Sequence, residues 1–163
     1  MQVKGEFRPA HTIESSGAIY KGEWKDDEPH GVGELYLKDG SYFTGTFSHG
    51  FAHGDGRYVY SQGSYYEGQV RHNVAEGQGK MVDEKLGYNY YGEWLNNYPN
   101  GFGDEFWRDK TEYRGEFLGG SKHGKGTYRF ADGTSYEGYF RSDQFHGEGR
   151  LVTAQGEYRG SFV

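Results

Sequence analysis

Histidines recur at one position of a sequence pattern, which makes them the first candidates for metal binding or acid–base catalysis. His30, His53, His123 and His146 each precede a Gly-x-Gly segment, at intervals close to 23 residues or a multiple of 23. Equivalent residues of neighbouring two-strand hairpins lie about 9.6 Å apart, whereas each ligand of a zinc ion lies ~2 Å from the metal. These four histidines are therefore predicted to share no metal ion and to make hydrogen bonds within loops.

Other residue types that support catalysis or cofactor binding are too far apart or absent. His49, His53 and His72 could approach one another across adjacent loops, but no pattern in the sequence indicates that they do. Glu23, Glu93 and Glu116 are separated by at least two strands, too far for a retaining glycosidase pair at ~5 to 5.5 Å. The chain has no Cys, no nucleophile elbow and no phosphate loop. We expect no enzyme activity, no metal and no cofactor.

The elements that carry these residues are copies of one unit. A glycine recurs at spacings of 23, 23, 24, 23, 23 and 22 residues. Its seven positions are Gly22, Gly45, Gly68, Gly92, Gly115, Gly138 and Gly160. A fixed period of this length indicates a repeat protein.

Each unit is predicted to be a β-hairpin. In residues 20–25 large rings alternate with polar residues, and in residues 31–37 glycine and leucine alternate with other types, as expected of half-buried strands. A polar connection at 26–30 joins the two strands, and Lys38-Asp39-Gly40 supplies a turn.

Glycine is predicted to make room for the rings. Gly22 lies between Tyr20 and Trp24 on one face of the first strand, and Gly31 and Gly33 lie beside them on the second. The missing side chains let an aromatic ring lie flat over the backbone. Five other repeats keep two rings around this glycine, whereas the third repeat has only Tyr66.

Tyr-x-Gly-Glu-Trp followed by His-Gly-x-Gly and an Asp-Gly turn resembles the MORN (membrane occupation and recognition nexus) repeat. The resemblance covers about residues 18–163 and keeps both elements in register through six consecutive units. It implies an all-β fold: an elongated, single-layer, twisted antiparallel sheet of consecutive hairpins, with six full repeats, partial caps and a groove lined by the repeated aromatics.

The predicted organisation is a partial repeat or cap at residues 1–19, followed by a repeat array at 20–163. Units start near residues 20, 43, 66, 90, 113 and 136, and a half unit starts at 158. The cap is expected to contain two strands, at residues 3–7 and 11–14, which gives fifteen strands with the two of each unit and one at the end. The last strand would offer an open edge for self-association.

Composition and charge narrow the possible partners. The chain has 29 Gly, 16 Tyr and 11 Phe, no apolar run near the ~20 residues of a membrane span, and a polar N-terminus unlike a secretory signal. A cytoplasmic protein is expected. The net charge of −6 disfavours nucleic acid and anionic lipid, which both attract basic surfaces.

Glu105 is a charged residue at a position where the other repeats have an apolar or aromatic residue. The equivalent positions hold Leu35, Tyr58, Met81, Tyr128 and Leu151. Strand alternation therefore predicts that this carboxylate points from the aromatic face. Two interpretations stay open: a bulge that turns the residue to solvent, or a contact with a Lys or Arg of a partner whose stem lies on the rings.

The MORN resemblance implies a non-catalytic scaffold that docks partner proteins, in the cytoskeletal or ciliary assemblies where such repeats occur. We expect a helix or extended segment to bind the groove near Tyr90, Trp94 and Trp107, with a basic residue at Glu105. The alternatives are a membrane or phospholipid attachment module and the regulatory repeat domain of a larger enzyme.

Overall fold

The computed structural model describes residues 5–163, and every regular element among them is a β-strand. The described part of the chain divides into two compact units, the first ending at residue 79 and the second covering residues 80–163. We call them unit 1 and unit 2 and describe each by itself. Among the described residues no helix is long and apolar enough to cross a membrane.

The strands follow the predicted hairpins. Unit 1 contains β1 (Glu6–Ile13), β2 (Ala18–Lys25), β3 (Glu28–Tyr36), β4 (Tyr42–Ser48), β5 (Phe51–Val59) and β6 (Tyr65–Arg71). Strand β7 (Val74–Asp83) crosses the boundary. Unit 2 contains β8 (Tyr88–Leu95), β9 (Tyr98–Trp107), β10 (Glu112–Leu118), β11 (Ser121–Arg129), β12 (Ser135–Arg141), β13 (Gln144–Thr153) and β14 (Gly156–Phe162). They pair in chain order in one open antiparallel sheet, which confirms the predicted fold class.

The number of strands differs from the prediction. The described residues form fourteen strands, not fifteen, because the N-terminal segment is one strand, β1, instead of two. Its pairing with β2 shifts register between Arg8 and His11, so one bulged strand spans both predicted ones. Residues 3 and 4 of the first predicted strand lie outside the described part of the chain.

The predicted loop at 26–30 is wrong in extent. The turn is only Asp26 and Asp27, which have φ values of 51° and 60°, as in the two-residue turns that suit β-hairpins. Strand β3 starts directly after them, at Glu28. His30 and its equivalents therefore lie in strands and not in loops.

The prediction that glycines make room for tyrosine rings is confirmed at Gly33 and its equivalents but is wrong at Gly31. A Cβ on Gly31 would lie 2.9 Å from Cδ of Glu23, so its missing side chain makes room for a carboxylate and not for a ring. A Cβ on Gly103 would lie 2.6 Å from two ring atoms of Tyr90, and Gly103 pairs directly with Gly92 on β8. Each such tyrosine also donates its hydroxyl proton to the backbone carbonyl three residues later. The bonds are Tyr20 to Glu23 (3.0 Å), Tyr66 to Gln69 (2.6 Å), Tyr90 to Glu93 (2.9 Å), Tyr113 to Glu116 (2.8 Å) and Tyr136 to Tyr139 (2.9 Å).

The rings form the core of each unit on one face of the sheet, which we call the ring face. In unit 1, Tyr20 meets Phe47 edge to face at 4.9 Å between ring centres, and in unit 2 Tyr113 meets Phe140 at the same distance. A ring of the next repeat covers the tyrosine in this way at Tyr20, Tyr90, Tyr113 and Tyr136. All four of these rings are buried.

Glutamate side chains accept hydrogen bonds from backbone N–H groups at the points where the strand register shifts. The shift between Gly92 and Trp94 leaves Glu93 outside the ladder, and its Oε1 accepts a hydrogen bond from the Phe102 backbone N–H at 2.8 Å. Glu116 does the same for Lys125 at 3.0 Å. The acid that follows the repeat glycine is therefore structural, since it satisfies a backbone donor that the bulge frees.

Candidate docking surface

Two of the four predicted contact residues are core residues of unit 2. Tyr90 and Trp94 on β8 are both buried, with ring centres 5.2 Å apart in an edge-to-face contact. Tyr90 also meets Phe117 of β10 at 5.1 Å. In the free chain these rings fill the space over the glycines by themselves, so no open position for a partner side chain lies over them.

Glu105 points to the ring face, as strand alternation predicts, and it is buried there. The register through it is continuous, since it pairs with Tyr90 on β8 and with Tyr113 on β10. There is therefore no bulge that turns the carboxylate to solvent. That interpretation is wrong.

The basic residue that Glu105 meets belongs to the same chain. The Nζ of Lys122 on β11 forms an ion pair with Oε2 of Glu105, and the two side chains are only 14% and 9% exposed. Asp143 lies 4.0 Å from the same Nζ. The predicted partner Lys or Arg is thus already supplied within unit 2.

Aromatic rings surround this ion pair. The ammonium of Lys122 lies 5.3 Å from the ring centre of Tyr113, 5.9 Å from Phe117 and 5.8 Å from Tyr128, within the range of cation–π attraction. Burial, and then the charge of Glu105 and a hydrogen bond to it, raise the pKa of Tyr88. The carboxylate is thus held among rings that stay neutral.

Sequence reasoning missed Lys122, although the sequence carries a signal for it. The positions equivalent to Lys122 hold Pro29, Ala52, Ala75, Pro99 and Phe145. A basic residue at one apolar position and an acidic residue at another, two strands apart, are complementary exceptions to the repeat. Comparing the exceptions with one another, and not each with its own repeat, would have found the pair.

Trp107, the fourth predicted contact residue, is accessible. It is 38% exposed and packs against Tyr88 at 4.6 Å between ring centres. Together with Leu86, which is 65% exposed, and Tyr128 it lines an open pocket of about 690 Å³. Arg108, Asp109 and Thr111 complete the lining. We call this the Trp107 pocket.

The opposite face of unit 2 carries a shallow trough of about 880 Å³. Its floor includes glycines that pair directly across strands, such as Gly115 with Gly126. Its walls mix both signs of charge, for example Asp104 and Lys125, with the exposed rings of Phe102 and Tyr139. The mixed charge gives no clear preference for an acidic or a basic ligand.

The remaining predicted surface is the edge at β14. This strand is last in the sheet order and pairs with β13, for example through Gly149 and Gly160. Self-association through β14 stays a prediction. Within residues 5–163, no three or more His, Asp or Glu side chains are grouped so that they could hold one metal ion.

Comparison with known proteins gives one family. The family model described as MORN repeat matches residues 20–42, 43–65, 66–85, 90–112, 113–135 and 136–158. No curated protein matches the chain. Among solved structures, the chain is similar to the TCP domain of SAS-4 (dCPAP) of Drosophila melanogaster in complex with a proline-rich motif of Ana2 (dSTIL), with a TM-score of 0.38, 15% identity, and 81% of this chain and 85% of that chain covered.

Proposed function

Because the chain belongs to the MORN repeat family, we propose that it is a non-catalytic module that docks a partner protein. Six matched units account for most of its length. The residues that recur in each unit build the fold itself: glycines make room for the rings, tyrosines donate hydrogen bonds to backbone carbonyls, and glutamates accept from backbone N–H groups at the bulges. Function is then expected at positions where a repeat departs from the pattern and leaves apolar surface exposed.

The Trp107 pocket is the observation that carries this proposal. A large ring and a leucine stand open to solvent beside a core that is otherwise closed by its own rings. Exposed Trp in a concave, mostly apolar setting is typical of the residues that contribute most to protein–protein binding. Leu86 comes from the lengthened turn of the third repeat.

The partner is proposed to be a helix or an extended segment that places one apolar side chain, Leu, Phe or Met, between Trp107 and Tyr128. Arg108 and Asp109 at the pocket offer polar contacts of both signs to its flanks. The buried pair of Glu105 and Lys122 lies on the same face and supports the pocket, but it is not expected to contact the partner.

The setting is proposed to be a cytoskeletal or ciliary assembly in the cytoplasm, which rests on the family resemblance alone. A fluorescent fusion expressed in the source cell tests this, since it should concentrate on filaments, basal bodies or axonemes. A diffuse signal, or a signal confined to membranes, would contradict it.

The docking proposal is tested by affinity capture from source-cell extract with quantitative mass spectrometry. Wild type is compared with Trp107→Ala, Leu86→Ser and the double variant, all checked by circular dichroism for folding. The matched control is Phe102→Ala, which removes an exposed ring from the opposite face of the same strand. Proteins that dock in the Trp107 pocket should be lost with the double variant and kept with the control. If the double variant captures the same proteins as wild type, the pocket is not the docking surface.

Flotation with anionic vesicles distinguishes protein docking from the alternative function, attachment to a membrane. The acidic chain should stay in the protein fraction at physiological salt. Binding to vesicles that is unaffected by Trp107→Ala would instead support lipid attachment through another surface.

A further inference from the structure

Unit 1 brings histidines together in two equivalent pairs. His30 and His49 have ring centres 6.0 Å apart, and His53 and His72 have ring centres 5.4 Å apart. In each pair one histidine lies in a strand, β3 or β5, and the other is the first residue of the next two-residue turn. The second pair follows the first by one repeat of 23 residues.

Backbone hydrogen bonds hold the turn histidine of each pair beside the strand histidine. The turn after β4 is held to the preceding hairpin by a hydrogen bond from the Gly50 N–H to the Pro29 carbonyl at 3.0 Å. The turn after β6 is held by the same bond, from Asn73 to Ala52 at 3.0 Å, and by the Ala52 N–H donating to Oδ1 of Asn73 at 2.8 Å. In both pairs these bonds bring the backbones of the two histidines together, so that both side chains can reach one ion.

The separations match those of two imidazoles on one metal ion. A ligating nitrogen lies ~2.0 to 2.1 Å from the ion, so two ring centres on one ion are about 5 Å apart at a tetrahedral angle and about 6 Å apart on opposite sides. Both observed distances fall in this interval. The edge-to-face orientation of the rings requires only rotation of side chains, and His49, His53 and His72 are exposed enough to rotate.

We propose that each pair is a two-histidine site for a divalent transition-metal ion of the Ni²⁺, Cu²⁺ or Zn²⁺ class. Imidazole is a preferred ligand of these ions, and water completes the coordination at an exposed site. Nδ1 of His49 lies 2.9 Å from Oγ of Ser48, which leaves Nε2 as the ligating atom at that residue. An ion bound in this way would link the turn after β4 to β3 in the first pair, and the turn after β6 to β5 in the second.

Unit 2 supplies an internal control for this proposal. His123 and His146 occupy the strand position there, but the turn position equivalent to His49 and His72 holds Asn96, Gly119 and Ser142. Histidine occurs at the turn only where the strand partner is also histidine. A single strand histidine such as His123 gives one ligand and is not expected to bind the ion.

The test is isothermal titration of the tag-free full chain with NiCl₂ at neutral pH, together with its thermal melting with and without Ni²⁺. Wild type should bind two ions per chain and melt at a higher temperature with Ni²⁺, because binding to the folded state alone stabilises it. His72→Asn copies the natural Asn96 of the fourth repeat, and it should reduce the stoichiometry from two to one. His49→Asn with His72→Asn should abolish both binding and the metal-dependent increase in melting temperature.

His123→Asn is the matched control and copies the natural Asn100 of the strand position. It should keep two ions per chain. The proposal is overturned if wild type shows no saturable binding, if the double variant still binds two ions, or if His123→Asn loses an ion. Melting of each variant without Ni²⁺ shows separately that the substitutions leave the fold intact.

Discussion

Lys122 on β11 forms a buried ion pair with Glu105 on β9, and the strand between them contributes Tyr113, whose ring lies 5.3 Å from the ammonium. Two charges on the apolar face of a single sheet are costly unless they meet each other. Because they meet across an intervening strand, the pair is satisfied only when β9, β10 and β11 are aligned in the native register. It therefore favours one alignment of the fourth and fifth repeats over alignments shifted by a repeat.

Removing one member of this pair is expected to be strongly destabilising. Glu105→Leu leaves Lys122 with only the more distant Asp143, and Lys122→Ala leaves Glu105 buried without its cation. Each single change is expected to cost about 3 to 5 kcal/mol in the free energy of unfolding. The double variant Glu105→Leu, Lys122→Ala uses residues that other repeats hold at these positions and should recover most of the loss. Urea titration of the four proteins gives the coupling energy. A double variant as unstable as the sum of the single ones would mean that the pair is not coupled.

Replacing a buried tryptophan should lower the free energy of unfolding much more than replacing the partly exposed one. Trp24→Ala and Trp94→Ala remove buried rings and should lower the free energy of unfolding by about 3 to 5 kcal/mol. Val70→Ala, at the smaller buried residue of the third repeat, should cost about 1 to 2 kcal/mol. Trp107→Ala should cost about 1 kcal/mol or less, since this ring is partly exposed. Denaturant titration measures all four, and equal small losses would contradict the buried-ring core.

The turn before β10 carries a backbone strain that a glycine would relieve. Lys110 has a φ of 74°, where the equivalent turns place Gly40, Gly63 and Gly133. A left-handed conformation costs a non-glycine residue about 1 to 2 kcal/mol, partly offset by the greater freedom of glycine in the unfolded chain. Lys110→Gly should therefore stabilise unit 2 by about 0.5 to 1 kcal/mol.

Gly133→Ala is the matched reverse substitution. A Cβ there would meet no atom within 4 Å, so any loss of stability reports the backbone conformation alone. The melting temperature of Lys110→Gly should be higher than that of wild type, and the melting temperature of Gly133→Ala should be lower. The reverse order would mean that the two turns are not conformationally equivalent.

Stability should fall at alkaline pH through the buried tyrosines. Burial, with a smaller contribution from nearby carboxylates, raises the pKa of Tyr20 and of Tyr66 to about 12. Because the unfolded pKa is about 10, the unfolded chain loses these protons first as the pH rises. Their contribution to the free energy of unfolding is therefore complete below pH ~10 and declines between about pH 10 and 12.

Ultraviolet absorbance of tyrosinate, followed with circular dichroism, measures this effect. Exposed tyrosines should ionise first, and the buried ones should ionise together with loss of the sheet signal. Tyr20→Phe should weaken the alkaline dependence of unfolding, although it also removes the hydrogen bond to the Glu23 carbonyl. Ionisation of all tyrosines with the sheet intact would show that these rings are accessible.

The repeat, the hairpins and the face on which each ring lies could all be predicted from the amino-acid pattern. These properties are local: a glycine two residues from a tyrosine and the alternation of rings with polar residues act within one or two strands. That is why the pattern was enough to place Tyr20, Gly22 and Gly33, and why the direction of Glu105 also followed from its position in the unit.

The contacts that those side chains make could not be predicted in the same way, because they form between repeats. Whether Tyr90 and Trp94 lie open or buried depends on how far the rings of one repeat reach over the next, which strand alternation does not specify. The partner of Glu105 is Lys122, seventeen positions away and two strands over, and the pairing of His53 with His72 depends on where a two-residue turn docks. Contacts of this kind depend on the distance between strands and on side-chain length, so they are fixed when the sheet assembles and not within a single repeat.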